Sequence, residues 1–138
     1  MAASYNQLKA RYAARTYAHD VADATVVTKL AWVPMGRKFL ALCTVVVGAM
    51  VTFKIFAATD SSGTGATVVK AHAAPTTADA VGDQLHLEVS DEEVLAALAR
   101  ATHVCVEVDM GSAGDIAAVT YIRELHRAYD GLTGDVIA

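Results

Sequence analysis

The sequence predicts a mainly-β protein, an antiparallel β-sandwich or jelly-roll-like fold with an N-terminal helical arm and one short inserted helix. Three observations favour this fold class: Val- and Thr-rich segments of strand length recur along the chain, turn-forming residues separate them, and several segments alternate apolar with polar residues. The 138 residues suffice for one domain with a single core. We therefore expect an arm over residues 1–24, a sandwich over 25–129 and a tail over 130–138.

The predicted strands differ in how clearly their pattern shows. The clearest is QLHLEVS at 84–90, where every second residue is apolar, as expected for a strand with one buried and one solvated face. Residues 116–127 carry both strand and helix signals, and we interpret them as a strand. Pro34 and Gly36 end the first strand, and Gly48 separates the second from the third. The remaining strands are predicted at 25–33, 38–47, 51–58, 66–72 and 103–110.

Two local motifs fix the connections between these strands. TDSSGTGA at 59–66 concentrates turn-forming residues, so the chain should reverse there and tolerate substitution. Ser90 and Glu93 have the S-x-x-E spacing of a capping box, in which the serine and glutamate side chains satisfy the free backbone N–H groups of a helix start. A short helix is therefore predicted from Ser90 to about Arg100.

The N-terminal segment from residue 4 to 23 has apolar and aromatic residues at helical spacing with basic residues beside them. Because the rest of the chain is acidic, this stripe predicts an arm that docks on a neighbouring subunit; a surface helix packed on its own domain is the alternative. The single tryptophan should be a core or interface anchor. The predicted partner-binding residues are Tyr5, Leu8, Lys9, Arg11, Tyr12, Arg15 and Trp32.

Residues 39–58 form an apolar stretch about as long as the roughly 20 residues of a membrane-spanning helix, with Arg37 and Lys38 before it. However, Lys54 lies inside the stretch, Gly48 interrupts it, and β-branched residues are frequent. Two buried strands produce the same run of hydrophobicity. We favour the strand pair and expect no membrane partner, with a single-span membrane protein as the alternative.

The charge and the motifs exclude several functions. A net charge of -4 provides no basic surface for nucleic acid. The turn at 59–66 lacks the Lys of a phosphate-binding loop, and no serine has nucleophile-elbow context, so we expect no enzyme, metal or cofactor. Cys43 and Cys105 are best interpreted as buried free thiols, with a disulfide left open.

One possible metal site was considered on the two clearest strands. If those strands paired, their polar faces would bring together imidazole, carboxylate and thiolate groups that suit zinc. A solvated sheet face gives the same pattern without metal, and we favour that interpretation. The four residues concerned are His86, Glu88, Cys105 and Glu107.

Two segments of the chain, FKIFAATDSSGTGATVV at 53–69 and ATHVCVEVDMGSAGDIAAVTYIRELHR at 101–127, resemble small decoration or auxiliary head proteins of tailed bacteriophages. The resemblance covers roughly residues 37–127. It implies a β-sandwich virion protein that is assembled in the host cytoplasm and forms a homo-oligomer on the outer head shell, with the major capsid protein or another virion protein as partner. The Thr102-His103 start of one strand, the arm and the helix depart from that pattern. A head-fibre base or a connector-associated protein therefore remains an alternative.

Overall fold

The computed structural model describes residues 12–21, 28–73, 80–112 and 114–124. Within these ranges the chain forms nine strands and one helix. The observed strands have the predicted bounds at 38–47, 84–90 and 103–110, and lie within a few residues of the segments predicted at 51–58, 66–72 and 116–127. The elements are β1 (Tyr12–Val21), β2 (Thr28–Lys29), β3 (Val33–Pro34), β4 (Lys38–Val47), β5 (Met50–Ala58), β6 (Thr67–Ala73), β7 (Gln84–Ser90), α1 (Asp91–Ala97), β8 (His103–Met110) and β9 (Asp115–Glu124).

The strands form two antiparallel sheets. Sheet 1 has the order β1-β9-β4-β7, and sheet 2 has the order β2-β8-β5-β6, with β3 also pairing with β8. The pairs are nested along the chain: β1 pairs with β9, the β2 and β3 segment with β8, β4 with β7, and β5 with β6. A long hairpin rolled into a sandwich has this nesting, which defines a jelly roll. The predicted sandwich is confirmed.

The core lies between the sheets, where β4 and β7 bury alternate side chains. β4 buries Phe39, Ala41, Cys43 and Val45, and its intervening residues point away from the core. The rings of Phe39 and Tyr121 meet edge to face, with centroids 5.0 Å apart. Sheet 2 contributes fully buried side chains from β5 and β8, namely Phe53, Ile55, Val104, Val106 and Val108.

The β4–β5 and β8–β9 connections are tied together by one carboxylate. Asp115 is buried, and its Oδ2 accepts hydrogen bonds from the backbone N–H groups of Ala49 at 3.3 Å and Ser112 at 2.9 Å. Gly48 has a φ of +81°, and a Cβ there would collide with the Asp115 side chain. Only glycine satisfies both the backbone angle and the space, which explains the break between the two apolar strands.

The capping box forms as predicted. Ser90 Oγ accepts from the Glu93 N–H at 3.2 Å, and the Ser90 N–H donates to Glu93 Oε2 at 2.8 Å. The helix ends at Ala97, three residues before the predicted end, because Leu98 is already extended and Arg100 has a φ of +65°.

One sequence prediction about the N-terminal region is wrong. Residues 12–21 form strand β1 rather than a helix, since β9 offers ten residues of backbone to pair with and such pairing overrides a weak helical spacing. Of the strand predicted at 25–33, the described part, residues 28–33, contains the short β2 and the start of β3, with residues 30–32 between them. Residues 1–11, residues 22–27 and the predicted tail lie outside the described residues.

Residues 39–58 form most of β4 and β5, in different sheets, instead of one continuous helix. No helix in the described ranges is long and apolar enough to cross a membrane. The alternative of a spanning helix at this position is therefore wrong.

Candidate interaction surfaces

The residues considered for a metal site are not brought together. His86 and Glu88 lie on β7 in sheet 1, whereas Cys105 and Glu107 lie on β8 in sheet 2. Their strands do not pair, so the assumption behind the zinc hypothesis fails. Across the part of the chain that the structure describes, no group of three His, Cys, Asp or Glu side chains could hold a metal ion.

The two thiols are free and occupy different layers. Cys43 faces the core from sheet 1, and Cys105 lies on the outer side of β8, yet both are buried. Burial raises the pKa of Cys43 to about 12, and burial together with the Glu107 charge raises the pKa of Cys105 to about 12 against the opposing effect of Lys29. Thiols held protonated in this way are poor nucleophiles.

The outer face of sheet 2 carries an ion pair. Lys29 Nζ lies 2.6 Å from Glu107 Oε2 and 4.3 Å from the centroid of the Phe56 ring. Glu107 is 7% exposed although it points away from the core, so its charge depends on Lys29 for compensation.

The outer face of sheet 1 has an apolar centre. Its central pairs are Leu40 with Ile122 and Leu42 with Thr120, and Leu42 is 37% exposed. We call this surface the sheet 1 face and define it by Leu40, Leu42, Thr44, Ala118, Thr120 and Ile122.

Charged residues border one end of the sheet 1 face. Lys38 Nζ lies 3.5 Å from Glu88 Oε1, and Glu124 stands opposite Lys38 in the β4–β9 register. Together with Leu40 and Ile122 they line a groove of about 250 Å³. An apolar centre with charges at its edge is the usual anatomy of a protein contact surface.

Trp32 packs outside the main core. Trp32 lies between β2 and β3, outside the residues that pair with β8. Its indole lies against Gly63 in the 59–66 turn, and a Cβ added to Gly63 would come 2.7 Å from Trp32 Nε1. Asp60 organises that turn by accepting from the N–H groups of Ser62 and Thr64, and hydrogen bonds from Thr64 and Ser62 lower the pKa of Asp60. The turn therefore has a packed side that its sequence did not indicate.

The remaining predicted partner-binding residues fall in or before β1. Tyr12 stands opposite Glu124 and Arg15 opposite Tyr121 in the β1–β9 register, at the edge of sheet 1. Trp32 belongs to the sheet 2 side, so the structure does not unite it with them. Tyr5, Leu8, Lys9 and Arg11 lie outside the described residues.

Sequence reasoning missed a second role for Tyr121. Its hydroxyl accepts a 2.8 Å hydrogen bond from the buried N–H of Val106, in the part of β8 next to the break between β2 and β3. The hydroxyl therefore takes the place of a strand carbonyl. The only sequence signal is a tyrosine two residues after Val119 and four after Ala117, at the same inward alternation of the strand.

No protein family model and no curated protein matches the chain. Among solved structures, PirA shares 12% identity over 78% of this chain and 92% of its own, with a TM-score of 0.45. A Bacillus endospore appendage structure, described as a family of disulfide-linked pili, shares 16% identity over 83% of this chain and 89% of its own, with a TM-score of 0.41.

A third similar structure is VP2 of the infectious bursal disease virus subviral particle. It shares 14% identity over 86% of this chain, with a TM-score of 0.42, and this chain spans 34% of VP2. At such identities and TM-scores, the likeness to these three structures supports no conclusion about function.

Proposed function

We propose that this protein is a non-catalytic structural component of a virus particle, a decoration protein that binds the outer surface of the head shell through the sheet 1 face. The observation that carries the proposal is the composition of the sheet 1 face. Leu42 is exposed there among half-buried apolar neighbours, and the charged residues Lys38, Glu88 and Glu124 lie at one end. The resemblance of residues 37–127 to phage head proteins supports the same role.

The size of the sheet 1 face suits a contact that is repeated many times. Three of the four strands of sheet 1 have ten residues, so the whole outer side of the sheet, with the sheet 1 face at its centre, measures about 33 Å by about 19 Å, roughly 600 Å². A stable pairwise interface buries about 800 Å² per partner. One copy would then bind the shell weakly, and many copies on a symmetric lattice would stabilise it together.

Three observations on the described residues support a non-catalytic role. Both thiols are protonated at neutral pH, and the buried Glu107 is held in an ion pair. The groove beside the sheet 1 face is open and small in comparison with the roughly 300–1,000 Å³ of ligand pockets. We infer that the partner is a protein, the major capsid protein or another virion protein, rather than nucleic acid or membrane.

The proposal is tested by co-sedimentation of the purified protein with head shells. Leu42→Asp places a charge at the centre of the contact and should weaken binding at least about tenfold, as expected for a central apolar residue. Val68→Asp is the matched control, because Val68 is also on a strand and 42% exposed, but it lies on β6 in sheet 2. Equal binding by both variants, with both folded, would reject the sheet 1 face as the contact.

Stoichiometry separates the decoration protein from its alternatives. A decoration protein saturates at a ratio set by the shell lattice, whereas a head-fibre base or connector-associated protein binds at a few symmetric positions per particle. Saturation at a few copies per shell would favour the second group, and no binding to any shell component would overturn the virion role.

A further inference from the structure

Four exposed valines lie at one end of the sandwich, and we call this surface the valine end. Val46 and Val47 end β4, Val51 is the second residue of β5, and Val81 lies in the turn before β7. Their exposed fractions are between 43% and 67%. Val46 and Val51 are the extra residues of two register shifts, and such bulges re-aim side chains away from the regular alternation.

Hydrogen bonds between connections hold the valine end in place. The Gly82 N–H donates to the Val45 carbonyl at 2.8 Å, which keeps Val81 beside the end of β4. The Gly111 N–H donates to the Ala49 carbonyl at 2.8 Å and ties the β8–β9 connection to the β4–β5 connection. Valine has few rotamers to lose, so covering these side chains costs little conformational entropy.

The valine end is also acidic. β1 and β6 both end there, because Val21 pairs with Asp115 and Ala73 pairs with Thr52. The stretches 20–27, 46–51, 73–83 and 109–115 contain neither lysine nor arginine, and their acidic residues are Asp20, Asp23, Asp79, Asp83, Asp109 and Asp115. This charge disfavours nucleic acid, anionic lipid and the valine end of a second copy as occupants. A suitable occupant combines apolar side chains with positive charge.

A segment with that chemistry is part of the same chain. Residues 1–11, which lie outside the described residues, contain the apolar or aromatic residues Tyr5 and Leu8 and the basic residues Lys9 and Arg11. The segment has no aspartate or glutamate. Its charge and its apolar content therefore complement the valine end.

The point of attachment prevents this segment from reaching the valine end of its own molecule. Tyr12 begins β1 at the other end of sheet 1, opposite Glu124, and Val21 lies nine residues further along the strand, a distance of about 30 Å. A chain spans at most about 3.6 Å per residue, so Leu8 lies within about 14 Å of Tyr12 and Tyr5 within about 25 Å. Both residues fall short, and only another molecule can offer them a valine end.

We propose that the valine end is the docking site for residues 1–11 of a second copy of this chain. Tyr5 and Leu8 cover the exposed valines, and Lys9 and Arg11 face the aspartates. Each copy then has the docking segment at one end and the site for it at the other, so the contact is head-to-tail and can repeat. The valine end shares no residue with the sheet 1 face, so shell binding and self-association can fail separately.

Two variants of the full-length chain, each with one defective half, test the contact. Lys9→Glu combined with Arg11→Glu reverses the charge of the docking segment, and Val81→Lys places a cation in the valine end at an exposed turn residue. In sedimentation equilibrium each variant alone should associate at least about tenfold more weakly than the unmodified chain. Val68→Lys is the matched control, because Val68 is 42% exposed but pairs with Phe56, away from the valine end, and it should associate normally.

An equimolar mixture of the two defective variants gives the sharpest result. One variant keeps the native segment and the other keeps the native valine end, so each mixed pair contains one native contact and should form a 1:1 complex. Both variants stay net negative, so their overall charges do not attract each other. A mixture that associates no more than its components would overturn the proposal.

The unmodified chain decides the proposal even if a variant misfolds. It should self-associate between about 10 μM and about 1 mM, the range of weak contacts, and less as salt rises. A chain that remains monomeric up to about 1 mM would contradict the proposal. If Val81→Lys abolished association while the segment variant kept it, a different occupant would cover the valine end, and residues 1–11 would be excluded.

Discussion

Replacing Tyr121 by Phe should destabilise the protein through one lost hydrogen bond. The hydroxyl accepts from the Val106 N–H at 2.8 Å, and both residues are at most 1% exposed, so water cannot easily replace it. Removing it leaves a buried donor without that acceptor, which costs about 1–3 kcal/mol. The aromatic ring stays, and with it the edge-to-face contact with Phe39. The cavity contribution should therefore be small.

Urea denaturation measures this effect, because the midpoint should fall while the slope m stays unchanged. For a chain of this size, the melting temperature should decrease by about 3–12 °C. Hydrogen exchange adds a site-specific readout, since the Val106 amide should lose protection more than its neighbours in β8. Ser62→Ala removes an exposed hydroxyl and is the control, with an expected change within about 0.5 kcal/mol. If Tyr121→Phe matches this control and the Val106 amide stays protected, the hydroxyl does not replace a strand carbonyl.

Three further outcomes follow from the described packing. Gly63→Ala should destabilise the protein more than Gly65→Ala. Both glycines have a positive φ, but only at Gly63 would the new methyl group meet Trp32. An equal decrease of the melting temperature in both variants would contradict this. Lys29→Met should lower the free energy of unfolding, measured by urea denaturation, by about 1–3 kcal/mol, because it leaves the buried Glu107 without its partner. An unchanged midpoint would show that the ion pair does not stabilise the fold. Cys43 and Cys105 have a pKa raised to about 12, so both should resist a thiol reagent at pH 8 until the protein unfolds; rapid labelling of the native state would refute their burial. The free energy of unfolding should also fall as pH rises from about 9 towards 12, because in that range only the unfolded chain releases the thiol protons.

The local features of the fold were predictable because their causes are local. Strict alternation placed β7 at 84–90, and the apolar stretch ending at Gly48 placed β4 at 38–47, with the observed bounds in both cases. The Ser90 and Glu93 spacing identified the helix start, since both hydrogen bonds of a capping box span only three residues. Turn-forming residues located the 59–66 reversal for the same reason.

The N-terminal segment shows where local reasoning fails. The spacing of Tyr5, Leu8 and Tyr12 favoured a helix, but from Tyr12 onwards the chain is a strand whose ten partners lie about a hundred residues later on β9. No residue pattern within the segment indicates that β9 is its pairing partner. The zinc hypothesis failed for the same reason, because it assumed that β7 and β8 pair, whereas the two strands belong to different sheets.

The sequence by itself therefore determined the fold class, most strand bounds, the capped helix and the break at Gly48, because periodicity and turn chemistry act over a few residues. The tertiary structure alone decided the nested pairing of the strands and the burial of outward-pointing residues. Glu107 alternates with core valines and was expected at a solvated position, yet Lys29 covers it from another strand. Pairing and covering depend on residues distant in the chain, and a pattern within one strand does not specify which distant residues those are.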